Sequence, residues 1–331
     1  MTVHAEEPQA TLSATPESPG GSEPGATSAS GGGSGLFRSA LSRALGAVPP
    51  PLLVLIAILS IQVGAAIAVG LFPTFGPEGT VFLRVLISAV ILGLLWRPRF
   101  DRQVRAHAGL LLAFGLAMAG MNLCFYQAIA RIPLGIAVTI EFVGPLALAV
   151  ATSRRLREFL WILLAVAGLV LLTPDLGGRL DPIGVLFALG AAVGWAALVV
   201  LAKRVGALFE RGTGLAFGMA VAAVLLLPFG GDAITAAVAA PALLVAALGV
   251  ALLSTAIPWS LEFEALKRLP ARSYGVLVTL EPATAVVVGI VLLGETLTWA
   301  TLVAVACVTV AAIGITLHDR RGNGGGGRAG A

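Results

Sequence analysis

Charged side chains are scarce in this chain of 331 residues. Asp, Glu, Lys and Arg together make up 11% of it, whereas an average soluble domain contains roughly 25%. Apolar residues make up 58%, so the composition excludes an ordinary soluble globular protein and indicates a membrane protein. The formal net charge of +4 does not indicate nucleic-acid binding, because the basic residues lie in short clusters between apolar runs.

Cysteine, histidine and nucleotide-binding motifs are also lacking. The two cysteines, Cys124 and Cys307, lie far apart inside apolar runs, where cysteine usually serves as a small packing residue. The three histidines, His4, His107 and His318, form no metal-ligand spacing. No Gly-x-x-x-x-Gly-Lys-[Ser/Thr] loop and no Gly-x-Ser-x-Gly segment occurs. The sequence therefore predicts no metal site, no cofactor and no enzymatic activity, and it argues against ATP as the direct energy source.

Long apolar runs fill the middle of the chain. A transmembrane helix needs about 20 mostly apolar residues, and ten such runs occur, separated by short segments rich in Pro, Gly or charge. They are residues 50–72, 79–96, 107–125, 133–152, 158–174, 182–202, 213–230, 241–261, 272–293 and 297–317. The polar, Gly-rich segments 1–49 and 318–331 are predicted to be a disordered cytoplasmic arm and tail, and the arm lacks the pattern of a secretory signal.

The basic residues support both the number of spans and their orientation. With a cytoplasmic N-terminus, eighteen of the 21 Lys and Arg residues fall in cytoplasmic segments. Only Arg131 and Arg179 fall on the far side, and Arg84 lies within the second span. Cytoplasmic loops of membrane proteins carry such an excess of Lys and Arg. A missed or invented span would move every later cluster to the other side, so the sequence predicts a multi-pass protein of the inner or plasma membrane with both termini cytoplasmic.

An internal repeat divides the spans into two halves. Val138–Glu141 (Val-Thr-Ile-Glu) returns 140 residues later as Val278–Glu281 (Val-Thr-Leu-Glu). Upstream, Tyr126–Pro133 parallels Phe263–Pro270 at a spacing of 137 residues. Five spans per half is an odd number, so the second half enters the membrane from the opposite side, as in transporters with inverted repeats. The predicted fold is therefore an all-α membrane protein with ten transmembrane helices as two inverted five-helix repeats, residues 50–174 and 182–317.

Each repeat carries one carboxylate deep in an apolar run. Glu141 and Glu281 lie about eight and nine residues into their spans, which places both roughly 12 Å deep. Intramembrane carboxylates are costly and normally face a cavity or a partner, so either residue could bind a proton or an amino group, or could be a structural tie. Pro145 and Pro282 follow closely and are predicted to break or kink the helices, although each could be a simple packing kink.

Four more residues are candidates for a binding site within the spans. Arg84 could pair with a buried carboxylate or with a substrate, or could extend to the outer headgroups near Glu78. Gln62 and Asn122 could line a cavity or form hydrogen bonds between helices. Trp195 could form the wall of a pocket, although aromatic residues near helix ends usually mark the membrane interface. Gly190 and Gly194 form a face of small residues for close helix packing.

Residues 50–317 resemble the drug/metabolite transporter superfamily, specifically its EamA-domain members. The resemblance rests on the ten spans in two inverted halves and on three segments, Leu83-Arg84, Pro282-Ala283-Thr284-Ala285 and Leu293-Gly294-Glu295. The segment from Pro133 to Pro145 is similar to the threonine/homoserine exporter branch. This resemblance implies efflux of a small amino acid, such as threonine or homoserine, driven by the proton gradient.

Other functions remain open at this point. The same fold could export a different metabolite or a cationic drug, because deep carboxylates suit a cation. A membrane scaffold or sensor that moves no solute is the alternative from another class, although an inverted repeat suits alternating access. The expected partners are a small-molecule substrate, protons and the lipid bilayer, and the sequence leaves a homodimer open. No nucleic-acid partner is expected.

Overall fold

The computed structural model describes residues 48–151, 156–170, 180–209, 212–266, 268–269, 271–296 and 298–318. Within these ranges the chain forms helices and no β-strand. The helices are α1 Pro50–Trp96, α2 Arg102–Ala106, α3 Ala108–Ile129, α4 Leu134–Ala151, α5 Leu156–Val170, α6 Pro182–Leu208, α7 Thr213–Gly230, α8 Ala233–Ala239, α9 Pro241–Ala251, α10 Ile257–Leu266, α11 Ala271–Val278, α12 Glu281–Leu293 and α13 Trp299–His318. A π-helical turn, Leu252–Ala256, joins α9 to α10. Except for residues 48, 49 and 318, the predicted arm and tail lie outside the described residues.

Helix α1 is not one straight helix but two helical segments, one before and one after Gly76, which we call its two limbs. Gly76 has non-helical dihedral angles of φ 67° and ψ 167°, and it lies between Pro73 and Pro77. Ser60, before this point, donates a hydrogen bond to the Leu253 carbonyl at 2.7 Å. Ser88, after it, donates one to the Thr255 hydroxyl at 3.1 Å. In a straight helix Ser60 and Ser88 would stand about 42 Å apart. Because both contact one π-helical turn, the two limbs fold back on each other.

Six helical segments are long and apolar enough to cross a membrane. Within the described residues these are Pro50–Trp96, Ala108–Ile129, Pro182–Leu208, Thr213–Gly230, Pro241–Glu262 and Ser273–Leu293. Two shorter apolar helices, Leu134–Leu148 and Trp299–Gly314, accompany them. The prediction of an all-helical protein that passes the membrane several times is therefore confirmed. The number of ten spans and their inverted arrangement stay predictions.

Small residues set the closest helix crossings. A Cβ atom added to Gly144 of α4 would lie 1.9 Å from the Ala192 carbonyl oxygen of α6. The predicted small-residue face of α6 lies against α3, since a Cβ atom on Gly194 would stand 2.8 Å from the Met121 Cβ and one on Gly190 would stand 3.1 Å from the Cys124 Sγ. Backbones approach this closely only where a side chain is absent. Helix α6 is therefore packed tightly between α3 and α4.

Large apolar side chains cover much of the outside of the bundle. Leu94 of α1, Val193 of α6 and Val291 of α12 are each 71% exposed, and Trp299 at the start of α13 is 78% exposed. A soluble monomer rarely exposes so much continuous apolar surface. In a bilayer these side chains face lipid, where their exposure carries no hydrophobic cost.

Candidate functional site

Glu141 lies in the buried interior of α4. The residue is 6% exposed, and its Oε1 atom has no hydrogen-bond partner among the described residues. The neighbouring Phe142 packs edge-on against Trp195 of α6, with ring centroids 5.5 Å apart. Helix α4 continues through Pro145 as one helix, so no break in secondary structure follows Glu141. A buried carboxylate oxygen without a partner is costly, which marks this position as one that a proton or a ligand could satisfy.

Glu281 stands at a helix break. Helix α11 ends at Val278, the turn Thr279–Leu280 follows, and α12 begins at Glu281 with Pro282 in its first turn. Proline is well tolerated there, because the N–H group that it lacks would have no partner within the helix. The first turn also carries the positive end of the helix dipole, which favours a carboxylate. The structure thus gives Glu281 a different local setting from Glu141, although the two lie in matching sequence motifs.

The structure brings Glu141, Glu281 and Arg84 together. Glu141 lies close enough to both of the other residues to interact electrostatically with them. The Arg84 guanidinium lies over the Tyr126 ring, 5.5 Å from its centroid, and donates a hydrogen bond to the Tyr126 hydroxyl at 3.4 Å. Tyr126 is fully buried. Arg84 is therefore directed toward the bundle interior, while the Glu78 carboxylate accepts a hydrogen bond from the Gln127 amide.

Gln62, Asn122 and Trp195 occupy different surroundings. Gln62 of α1 is 1% exposed, and its Oε1 atom has no hydrogen-bond partner among the described residues. The Asn122 amide donates to the Met118 carbonyl at 2.8 Å, within its own helix. Trp195 belongs to the Glu141 neighbourhood through its contact with Phe142. Gln62 thus keeps an open acceptor, whereas Asn122 uses its donor inside α3.

Two further residues, Glu262 and Tyr274, extend the carboxylate cluster of Glu141 and Glu281, and no sequence pattern indicated Glu262. Glu262 of α10 forms a side-chain hydrogen bond with Tyr274 of α11. Glu262 and Tyr274 also lie within electrostatic range of Glu281. Glu262 stands at the edge of the predicted span 241–261, where an acidic residue can be taken for part of a polar loop. Tyr126 gave no sequence signal, since its role depends on the distant Arg84.

The described part of the chain offers no metal centre. No group of three or more His, Cys, Asp or Glu side chains there could hold a metal ion. Cys124 and Cys307 are free thiols. The described site consists of buried carboxylates, one guanidinium and aromatic rings, and such groups can bind a cation or a proton.

Comparisons with known proteins identify related transporters. The sequence matches the EamA-like transporter family over residues 182–317. It is 43% identical over 278 residues to the threonine/homoserine exporter RhtA of Salmonella typhimurium strain LT2, covering 82% of this chain and 92% of that protein. It is 42% identical to RhtA of Escherichia coli K12 with the same coverage. The uncharacterized transporter YvbV of Bacillus subtilis is 27% identical over 162 residues, 44% of this chain and 50% of that one.

A solved structure shares the fold. A protein crystal structure aligns with a TM-score of 0.51 and 20% identity, covering 82% of this chain and 98% of the other. At this identity the match concerns the fold alone. The identity of 42–43% to RhtA extends over most of both chains. The chain therefore belongs to the EamA-like transporter family of the drug/metabolite transporter superfamily, as an RhtA-like transporter.

Proposed function

We propose that this protein exports small amino acids such as threonine and homoserine across the inner or plasma membrane, with protons as the coupling ion. The observation that carries the proposal is the identity of 42–43% to proteins named threonine/homoserine exporters, over 82% of this chain. The cluster of Glu141, Glu281 and Arg84 supplies groups of both signs inside the bundle. An amino acid, which bears an ammonium and a carboxylate group, needs both.

The proposed architecture is ten spans in two inverted repeats, residues 50–174 and 182–317, with both termini cytoplasmic. The helix contacts support it. Helix α3 packs against α6. In the second repeat α9 and α10 correspond to α3, and they pack against α1, which corresponds to α6. Helix α4 packs against α6 as well, and α12, which corresponds to α4, packs against α1. The pairs α4–α12 and α5–α13 contact each other directly. An exchange of the two halves by a two-fold axis in the membrane plane would produce this pattern.

The proposed mechanism is alternating access around the carboxylate cluster. Two carboxylates within electrostatic range of each other repel when both are ionised. One of them therefore holds a proton while the other holds the substrate ammonium. Rocking of the two halves carries the loaded site from one side to the other. On the outer side the amino acid leaves and a proton takes its place. After the return to the inner side that proton is released to the cytoplasm, which frees the carboxylate for the next substrate ammonium. In this mechanism Arg84, which contacts Tyr126, receives the substrate carboxylate.

Counterflow in proteoliposomes tests the proposal. Vesicles that contain the full chain are loaded with unlabelled threonine, and uptake of labelled threonine and homoserine is measured with and without an imposed pH gradient. We expect exchange of both amino acids that responds to the gradient. Glu141→Gln and Glu281→Gln should keep the fold and lose the response to the gradient. Gradient dependence that is unchanged in both variants would refute proton coupling by this pair.

A cationic organic compound is the second candidate cargo. The observation in its favour is that aromatic rings border the carboxylates, with Trp195 on Phe142 beside Glu141 and Tyr274 bonded to Glu262. The same vesicles, offered labelled quaternary ammonium compounds, separate the two cargoes. Uptake of these compounds without exchange of threonine would replace the amino-acid proposal. Movement of no solute at all by folded protein would support a scaffold or sensor instead.

A further inference from the structure

A separate cavity lies at one end of the bundle, away from the carboxylate cluster. It has a volume of about 620 Å³ and is lined by Glu295, by the hydroxyl-bearing Thr296, Thr298 and Thr301, and by Pro133 and Ile136 at the start of α4. Pockets of roughly 300–1,000 Å³ are typical for small ligands. Leu134 is seven residues before Glu141, which puts the cavity about 10 Å along the α4 axis from that carboxylate. A solute leaving the cluster toward this end passes the cavity.

Both halves of the chain position the Glu295 carboxylate. Gly294, with φ of 65°, ends α12 in the left-handed region, and the Glu295 N–H donates to the Gly289 carbonyl at 3.1 Å. The side chain lies against Gly289, where an added Cβ atom would stand 2.2 Å from Oε2. Its Oε1 atom accepts a hydrogen bond from the Leu134 N–H at 2.7 Å. The contact joins residues 161 positions apart, so the carboxylate is fixed between α12 and α4.

The Glu295 carboxylate has unused capacity to accept hydrogen bonds. Its Oε2 atom is buried and has no hydrogen-bond partner among the described residues. A carboxylate has about four acceptor positions, and the backbone N–H groups of Leu134 and Gly135 account for two of them. Among the described residues that line the cavity, Glu295 is the charged one, while the nearby Arg131 contacts Asp181 at 3.8 Å and the Phe187 ring. The cavity therefore suits a small cation with several N–H donors and disfavours an anion.

We propose that Glu295 and this cavity form a second binding site, one that takes the primary ammonium group of an α-amino acid as it leaves the protein. The assignment of the ligand rests on the proposed function. The site lies at the end of the bundle opposite Val48 and Arg268, which contact each other near the start of α1. With cytoplasmic termini this is the outer end. The ammonium group binds the Glu295 carboxylate, and the threonine hydroxyls face the polar remainder of the amino acid.

Two variants and one matched control test this site in the full chain. Glu295→Gln removes the charge but keeps an oxygen acceptor for the Leu134 N–H. Gly289→Ala keeps the charge but displaces the carboxylate, because the new Cβ atom would overlap Oε2. Glu78→Gln makes the same charge change at the same end of the bundle, outside the cavity, where Gln127 is the partner.

The first measurement is threonine exchange in proteoliposomes at varied external and internal concentrations. We expect Glu295→Gln and Gly289→Ala to raise the external half-saturation concentration about tenfold or more, since charge-assisted hydrogen bonds are among the stronger ones. The internal value should stay unchanged, and Glu78→Gln should resemble the wild type at both faces. An unchanged external value in Glu295→Gln, or equal increases at both faces, would overturn the inference.

The second measurement is the stoichiometry of labelled threonine bound to the protein in nanodiscs. We expect two molecules per chain in the wild type, one in Glu295→Gln and two in Glu78→Gln. Wild-type binding of a single molecule, or binding that Glu295→Gln leaves intact, would refute the second site while exchange could still support the proposed function. If Glu295→Gln binds half as much threonine as the wild type but the wild type shows no exchange, the proposed function is refuted instead. Absence of both binding and exchange would overturn both.

Discussion

Gly144→Ala is the substitution whose consequence the structure defines most sharply. The new Cβ atom would lie 1.9 Å from the Ala192 carbonyl oxygen, 2.6 Å from its carbonyl carbon and 3.0 Å from its Cα atom. All three atoms belong to the backbone of α6. A flexible side chain could rotate away from the new methyl group, but a helix backbone cannot. Helices α4 and α6 must therefore separate locally, by at least about 1 Å, to restore ordinary contact distances.

The expected magnitude follows from two opposing effects. Adding carbon atoms to a well-packed interior costs about 1–3 kcal/mol of folding free energy, and a rigid neighbour places this case at the upper end. Replacing glycine by alanine inside a helix gains up to about 1 kcal/mol. We therefore expect Gly144→Ala to destabilise the protein by about 2 kcal/mol. Gly120→Ala in α3 is the matched control, because nothing lies within 4 Å of its added Cβ atom, and it should be neutral or slightly stabilising.

Thermal unfolding of the two variants and the wild type in one detergent, at one scan rate, measures the difference. Gly144→Ala should unfold several degrees below the wild type, and Gly120→Ala at or slightly above it. Because Gly144 is one helical turn from Glu141, the separation of α4 and α6 should also lower threonine exchange. A Gly144→Ala protein as stable as Gly120→Ala would refute the close crossing, and with it the packing that holds Glu141 beside α6.

Three further outcomes are expected. Arg84→Lys should lower stability by about 0.5–2 kcal/mol, because a Lys ammonium does not reproduce the forked guanidinium, which contacts both the ring and the hydroxyl of Tyr126. Tyr126→Phe, which keeps the ring, should cost less in the same thermal assay. Burial raises the pKa of Glu295 above its ordinary value of 4.5, although backbone N–H donation opposes the shift. The wild type should therefore lose stability relative to Glu295→Gln as the pH rises above about 4.5, and unfolding temperatures measured at pH 4 to 8 test this. Gly212→Ala should cost at least about 1 kcal/mol, because φ is +77° and the Cβ atom would stand 2.7 Å from the Trp96 ring.

Composition and motifs predicted the class of protein and its family. Low charge and long apolar runs lead directly to membrane helices, and the identity to RhtA confirms the family that the motif around Glu141 indicated. The two prolines show where local reasoning ends. Both remove one backbone N–H, yet α4 continues through Pro145, while the chain leaves the helix before Pro282. A proline is compatible with a kinked helix interior and with a first turn alike, so only the tertiary setting decides between them.

Contacts between distant residues account for what the sequence could not reveal. Ser60 and Ser88 resemble ordinary small residues in apolar runs, and nothing local indicates that they share a partner. A hydroxyl buried without a hydrogen bond costs free energy, so each needs an acceptor, and the π-helical turn around Ser254 supplies one to each limb of α1. The consecutive spans 50–72 and 79–96, with prolines beside Gly76, predict that the chain breaks and reverses there, but they do not predict that Ser60 and Ser88 meet at one π-helical turn. The Glu295 contact with the Leu134 N–H has the same character: both ends lie in segments that the sequence singles out, but their pairing depends on how the second half of the chain packs against the first.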